Sequence, residues 1–157
     1  MHIKYNRFFL VTLLLTLFSC GKDNSIGDQI LLHKDNPIST NDLKGHWVVV
    51  NYWADWCPPC IKEIPELSSF AKDNPDVRVF AFNFDRIDGA ELDQQIARFG
   101  VEYPSLITHP SSIWGIKTPS TLPATFFIDP SGVLVEESRK PLDQLKLEAI
   151  ISLLKET

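Results

Sequence analysis

No excess of lysine and arginine marks this 157-residue chain: 15 basic residues stand against 20 acidic ones, a net charge of −5. A nucleic-acid partner is disfavoured, because phosphate binding draws on a basic face. There is no apolar run of the roughly 20 residues that crossing a bilayer takes. The longest, Phe8 to Phe18, has eleven. Cysteine is scarce too, with only Cys20, Cys57 and Cys60. The four histidines, His2, His33, His46 and His109, show no paired spacing. A structural zinc site takes four ligands, usually from two such pairs. The Cys57–Cys60 pair therefore lacks a second half, and metal is not the favoured reading of it. No repeat and no low-complexity run interrupts the chain.

What remains fits one domain on length alone, and a hydrophobic content of 44% suffices for a packed core. The chain is organised around Trp53-Ala54-Asp55-Trp56-Cys57-Pro58-Pro59-Cys60. An apolar strand, Trp47 to Ala54, gives way there to a helical pattern. The first backbone N–H groups of a helix have no intrahelical partner, and the aligned peptide dipoles make that end mildly positive. A sulfur placed there has its thiolate stabilised, and the thiolate is the attacking species in disulfide chemistry. The reading puts Cys57 at the N-cap, Pro58 and Pro59 at the first two helical positions, and Cys60 one turn in. Proline is tolerated there because its missing N–H would be unpaired anyway. For the same reason the first free donor near the Cys57 sulfur is the Cys60 amide. A CxxC at a strand–helix junction reads as a redox pair.

The first residues read as a targeting segment. Lys4 and Arg7 precede the Phe8–Phe18 run, which has the length of a signal-peptide core. Leu17-Phe18-Ser19-Cys20 resembles a bacterial lipoprotein signal with Cys20 as the lipidated residue, although Phe18 stands where a small or β-branched residue is usual. An ordinary cleaved signal and an uncleaved anchor are the alternatives. The expected organisation is a leader at 1–19, a lipidated tether and extension at 20–36, and one domain at 37–157. Export sets the chemistry: disulfides persist outside the cytoplasm, so a dithiol there needs a redox partner to stay reduced.

Farther along, the spacing predicts a short edge strand at 29–33, a turn at 35–37 and a central strand at 47–53. A helix over 58–72 buries Ile61, Ile64, Leu67 and Ala71, with a kink at Pro65. A strand at 76–85 precedes a helix capped by Asp88, with Glu91 completing a capping box. That helix buries Leu92, Ile96 and Phe99 and is closed by Gly100. Tyr103 to Ile107 reads as extended and 111–122 as irregular. A strand at 124–129, a turn at 129–132 and a returning strand at 133–137 form a hairpin. The last helix starts near Pro141, with Leu142, Leu145, Ala149 and Leu153 as its buried stripe.

The stretch Asn51 to Cys60 resembles the active site of exported, membrane-tethered thiol–disulfide oxidoreductases of the TlpA/ResA/CcmG type. The similarity runs on through Ile61-Lys62-Glu63-Ile64-Pro65-Glu66-Leu67. It resumes at Leu122-Pro123-Ala124-Thr125-Phe126-Phe127-Ile128-Asp129. The resemblance covers about residues 37–156. It implies an α/β, thioredoxin-like fold: a central mixed sheet flanked by helices, with an extra strand–helix insertion. It also implies a cis peptide at Pro123 facing the cysteines, which frees the Leu122 backbone to pair with substrate. In thioredoxin a titratable aspartate matches Asn51; Asn51 itself reads as a hydrogen-bonded core residue. Some members carry an acid matching Glu63, which is either a helix-start carboxylate or a group exchanging protons with the cysteines. Lys117 to Leu122 is longer than the family's usual step before the cis-proline, so it bears on substrate choice.

The resemblance implies that Cys57 attacks a disulfide of an exported protein and Cys60 resolves the mixed disulfide, as in cytochrome c maturation. Trp56, Pro58, Pro59, Leu122 and Pro123 are the expected substrate contacts, and Trp53 reads as packing. No cofactor is implied beyond the cysteine pair. A reductase requires an electron donor at the membrane. Two alternatives stand: an oxidant or isomerase, or a non-catalytic lipoprotein holding a partner or Cu(I) between its thiols.

Overall fold

The computed structural model describes residues 28–156, so the Phe8–Phe18 run and Cys20 lie outside the described residues. A short antiparallel pair opens the described chain: β1 (Gln29–Ile30) and β2 (Ile38–Ser39). A 3-10 turn at Thr40–Leu43 follows, held by a capping box between Ser39 and Asp42. The main sheet is built from β3 (Trp47–Trp53), β4 (Val77–Asn83), β5 (Ala124–Ile128) and β6 (Leu134–Ser138). Its spatial order is β4-β3-β5-β6. β3 pairs parallel with β4 and antiparallel with β5, so the sheet is mixed, as expected. A bulge at Phe127/Ile128 bends the β5–β6 hairpin.

β3 is central because nearly every side chain in it is apolar and both of its faces are covered. Val49 and Trp53 point to one face, where α1 (Pro58–Asp73), α2 (Gly89–Phe99) and α4 (Gln144–Lys155) pack. Val48, Val50 and Tyr52 point to the other. There Tyr52 lies edge-on between Phe82 and Phe126, at centroid distances of 5.0 and 5.5 Å. Each large side chain so buried contributes about 1.5–3 kcal/mol of transfer free energy.

Four expectations change. The α4 stripe is misplaced: Leu145 and Leu153 are 77% and 65% exposed and Ala149 is exposed, while Leu147 and Ile151 are buried. Leu142 is buried but precedes the helix, which starts at Gln144 behind an Asp143 cap. The helix is apolar on two sides, so periodicity alone did not choose the inward one. In α1 the buried set is Cys60, Glu63, Ile64, Leu67 and Phe70, with Ile61 and Ala71 only partly covered. The Asp88 capping box does not form. Asp88 is the N-cap of α2 but makes no side-chain cap bond, because the helix is approached through Gly89 at φ +54°. Finally, the irregular stretch holds a short helix, α3 (Pro110–Trp114), which His109 caps and Gly115 closes at φ +67°. Gly100 closes α2 at φ +68°, as expected.

Candidate active site

β3 delivers Trp53 to the C-terminal edge of the sheet, and the chain turns once before α1. The turn is closed by the Cys57 N–H donating to the Ala54 carbonyl at 3.1 Å. Cys57 is the N-cap of α1, with Pro58 and Pro59 behind it. The Cys60 N–H donates to Cys57 Sγ at 3.3 Å, so the first free amide of the helix does reach that sulfur. The two sulfurs are bonded in a disulfide. Cys57 is 4% exposed and Cys60 0%. The cysteine on the surface side is therefore the one at the helix mouth.

Two elements frame the pair. The Leu122–Pro123 peptide is cis. β5 begins at the next residue, with Ala124 opposite Tyr52, so Pro123 arrives at the same end of the sheet as Cys57. Ile116 and Pro119 are buried and anchor the preceding loop, while Lys117, Thr118, Ser120 and Thr121 are exposed. Trp56, 57% exposed, stands on the other flank. Its indole N–H donates to Asp85 Oδ2 at 2.7 Å, and its ring meets Phe84 edge-on at 5.9 Å. Trp53 is fully buried against Phe99, a packing residue as read from the sequence. Sequence reasoning did not find Asp85 or Phe84. The only signal was an acidic residue ending a strand.

One helical turn past Cys60, a polar network lies inside the core. Glu63, on the buried face of α1, is 1% exposed. Its Oε1 accepts from Asn51 Nδ2 at 2.6 Å and its Oε2 from the Leu142 N–H at 3.1 Å. Asn51 also donates to Thr125 Oγ1 at 3.1 Å, and its Oδ1 accepts from the Tyr103 hydroxyl at 3.3 Å. Asn51 is thus the hydrogen-bonded core residue expected of it. Burial pushes the Glu63 carboxyl up to about 7, against the two donated bonds, which favour its charged form. Burial raises the Tyr103 phenol as well, and the Glu63 charge adds to that, so it stays a neutral donor.

The arrangement suits a thiol–disulfide exchange site. Its thiolate is stabilised by one amide and a helix start, its second sulfur is covered, and a carboxyl that titrates near neutrality lies one helical turn beyond. Among the described residues no group of His, Cys, Asp and Glu is placed to hold a metal ion. No helix among them is long and apolar enough to cross a membrane.

Residues 27–137 match the AhpC/TSA family model. The chain is 32% identical over 102 residues to the thiol-disulfide oxidoreductase ResA of Bacillus thuringiensis (strain Al Hakam), covering 64% of this chain and 58% of that protein. It is 28% identical over 120 residues to ResA of Bacillus subtilis (strain 168), covering 75% and 66%. The chain thus spans less than two thirds of the length of these relatives. Among solved structures, MTB dsbF superposes with a TM-score of 0.64 at 23% identity, over 80% of this chain and 93% of that one. StoA from Bacillus subtilis superposes at 0.61 and 22% identity, over 78% and 96%. At those identities the likeness is one of fold, and that fold is the thioredoxin-like one.

Proposed function

From the premise that the chain belongs to the AhpC/TSA family, we propose that it is a thiol–disulfide oxidoreductase that reduces disulfides of exported proteins. The observation that carries this reading is Cys57 at the mouth of α1, its sulfur bonded to Cys60 and receiving the Cys60 N–H. In the reduced enzyme the Cys57 thiolate attacks a sulfur of the substrate disulfide. A mixed disulfide forms, and the departing substrate sulfur takes up a proton. Cys60 gives up its proton and attacks Cys57 Sγ. The Cys57–Cys60 bond forms, the mixed disulfide breaks, and the second substrate thiol is released. The substrate gains two electrons and two protons, and a membrane electron donor restores the dithiol.

Glu63 is the group we assign to the Cys60 proton, since Asn51 cannot titrate and Glu63 is held ready near neutral pH. Trp56, Pro58, Pro59, Leu122 and cis-Pro123 form the substrate-facing rim. Cytochrome c maturation is the proposed setting, and the protein is proposed to be held at the membrane by a lipid on Cys20. The ResA relatives support the activity by the name they carry.

The test uses two variants of the exported full chain. Cys57→Ser should abolish insulin disulfide reduction. Cys60→Ser should accumulate mixed disulfides that mass spectrometry identifies. Reduction that survives Cys57→Ser, or the absence of any trapped protein, would overturn the proposal.

A further inference from the structure

Ala81 of β4 turns its backbone polar groups away from β3. Its N–H donates to the Pro104 carbonyl at 2.9 Å, and its carbonyl accepts from the Leu106 N–H at 2.8 Å. Backbone groups alternate in direction along a strand, so Val79 and Val77 present theirs on the same outer edge. The Val77 N–H is taken by the Asn74 carbonyl at 3.0 Å. Among the described residues nothing pairs with the outward N–H and carbonyl of Val79, or with the Val77 carbonyl. The ladder that residues 104–106 begin on this edge therefore stops halfway down β4.

Beside that vacancy runs a half-open groove of about 690 Å³, with Ile38, Leu43, Ala71, Val77 and Val79 along it. Lys72 and Arg78 stand at its Val77 end, and Glu102 stands next to Pro104 at its Ala81 end. None of the three makes an ion pair among the described residues. Asp42 and Ser68 also line it, the Asp42 carboxylate already accepting the Ser39 N–H at 2.8 Å. The groove is thus mainly apolar, with two basic side chains by Val77, Glu102 by Pro104, and strand-pairing groups that stay unpaired among the described residues on its floor.

We infer that this groove docks an extended segment of a partner protein, which adds to β4 as one more strand. The segment carries an acidic residue toward Lys72 and Arg78, a basic residue toward Glu102, and apolar side chains at alternate positions between them. Strand addition of this kind takes its affinity from main-chain bonds and its specificity from alternate side chains. The sense that continues the existing row is parallel to β4, as in the bridge between Ala81 and Ser105. A second copy offering its own β4 does not fit. Val77 and Val79 are only 4% and 5% exposed, so this edge is the floor of a groove and cannot also project into another. The groove lies at the far end of β4 from Cys57. Six strand residues, or about 20 Å, separate Val77 from the end that pairs with Trp53. A partner held there stays available to the cysteines without competing for them, which raises its effective concentration at the site.

The probe is a capped peptide of sequence EVTVTK, titrated into the full chain and followed by backbone amide NMR. Shifts should concentrate at Val77, Arg78, Val79 and Leu43. The charge-swapped peptide KVTVTE should bind about tenfold more weakly, and Arg78→Glu should narrow that preference, because Lys72 and Glu102 remain. Methylating the peptide's backbone nitrogens, which removes its donors without touching the protein, should abolish binding. Shifts that map elsewhere, equal binding of the two charge orders, or undiminished binding of the methylated peptide would each overturn the inference. So would release of a dimer on peptide addition, which would give the edge to a second copy.

Discussion

Glu63 concentrates the residue-scale physics of the site. A carboxyl pushed up to about 7 holds its proton in the folded state at pH values where the unfolded chain has released it. Folding stability therefore falls as pH rises from the ordinary glutamate range to about 7, and is lowest above that window. The slope follows from the unfolded chain binding fewer protons there. The change is on the order of 3 kcal/mol, since each pH unit across that window is worth about 1.4 kcal/mol. Chemical denaturation of the oxidised protein between pH 4.5 and 8 should show it, and Glu63→Gln should flatten it. If Glu63 takes the Cys60 proton, the same variant should also lose the limb of the kcat profile centred near pH 7. A second residue-scale prediction concerns Trp56, whose indole is fixed by Asp85. Asp85→Ala removes a hydrogen bond worth about 1 kcal/mol. We expect a roughly fivefold rise in KM for protein disulfides with little change in kcat, together with altered Trp56 fluorescence.

At the scale of elements, α4 separates what pattern reading supplies from what packing decides. Leu145, Leu153, Leu147 and Ile151 are similar residues at helical spacings on different sides of one helix. Only the α1 face makes Leu147 and Ile151 the inward pair. α1 also fixes the start of α4 through its acids. Glu63 accepts the Leu142 N–H, and Glu66 accepts the Gln144 N–H at 3.0 Å. Leu147→Ala should cost about 2–5 kcal/mol in urea denaturation. Leu145→Ala should stay within about 0.5 kcal/mol. By contrast, the α1 start was legible to the residue. A strand ending in Trp53, a sulfur at the N-cap and two prolines at N1 and N2 leave the backbone one reasonable course. The N-cap position of α2 was legible, but the absence of its capping box was not. Asp88 and Glu91 have the spacing of a capping box, but the left-handed Gly89 between them sets a geometry that spacing does not encode.

For the whole molecule, the sheet order β4-β3-β5-β6 is what brings the three separated stretches of the site together. β4 supplies Phe84 and Asp85 just beyond its end, β3 leads to the cysteines, and β5 is preceded by Pro123. Among the described residues both edges of that sheet remain open in part, and the β4 edge carries the docking inference. The proposed membrane attachment also belongs to this scale. The full chain expressed in a bacterial host should partition with membranes. Cys20→Ala should move it to the soluble exported fraction or leave it unprocessed, since acyl chains on Cys20 would supply the anchoring free energy. Soluble material indistinguishable between the two would remove the lipid from the account.

Composition and local spacing alone determined the CxxC pair, its place at a helix start, and the order of the four main strands and the three long helices, though not β2 or α3. All of these are properties of neighbouring residues and of short-range backbone preference. Only the tertiary structure decided that Glu63 is buried against Asn51 and Leu142, that Asp85 holds Trp56, which side of α4 faces inward, and that part of the β4 edge finds no partner among the described residues. Burial and long-range hydrogen bonds depend on which surfaces meet, and residues tens of positions apart meet only once the chain has closed on itself.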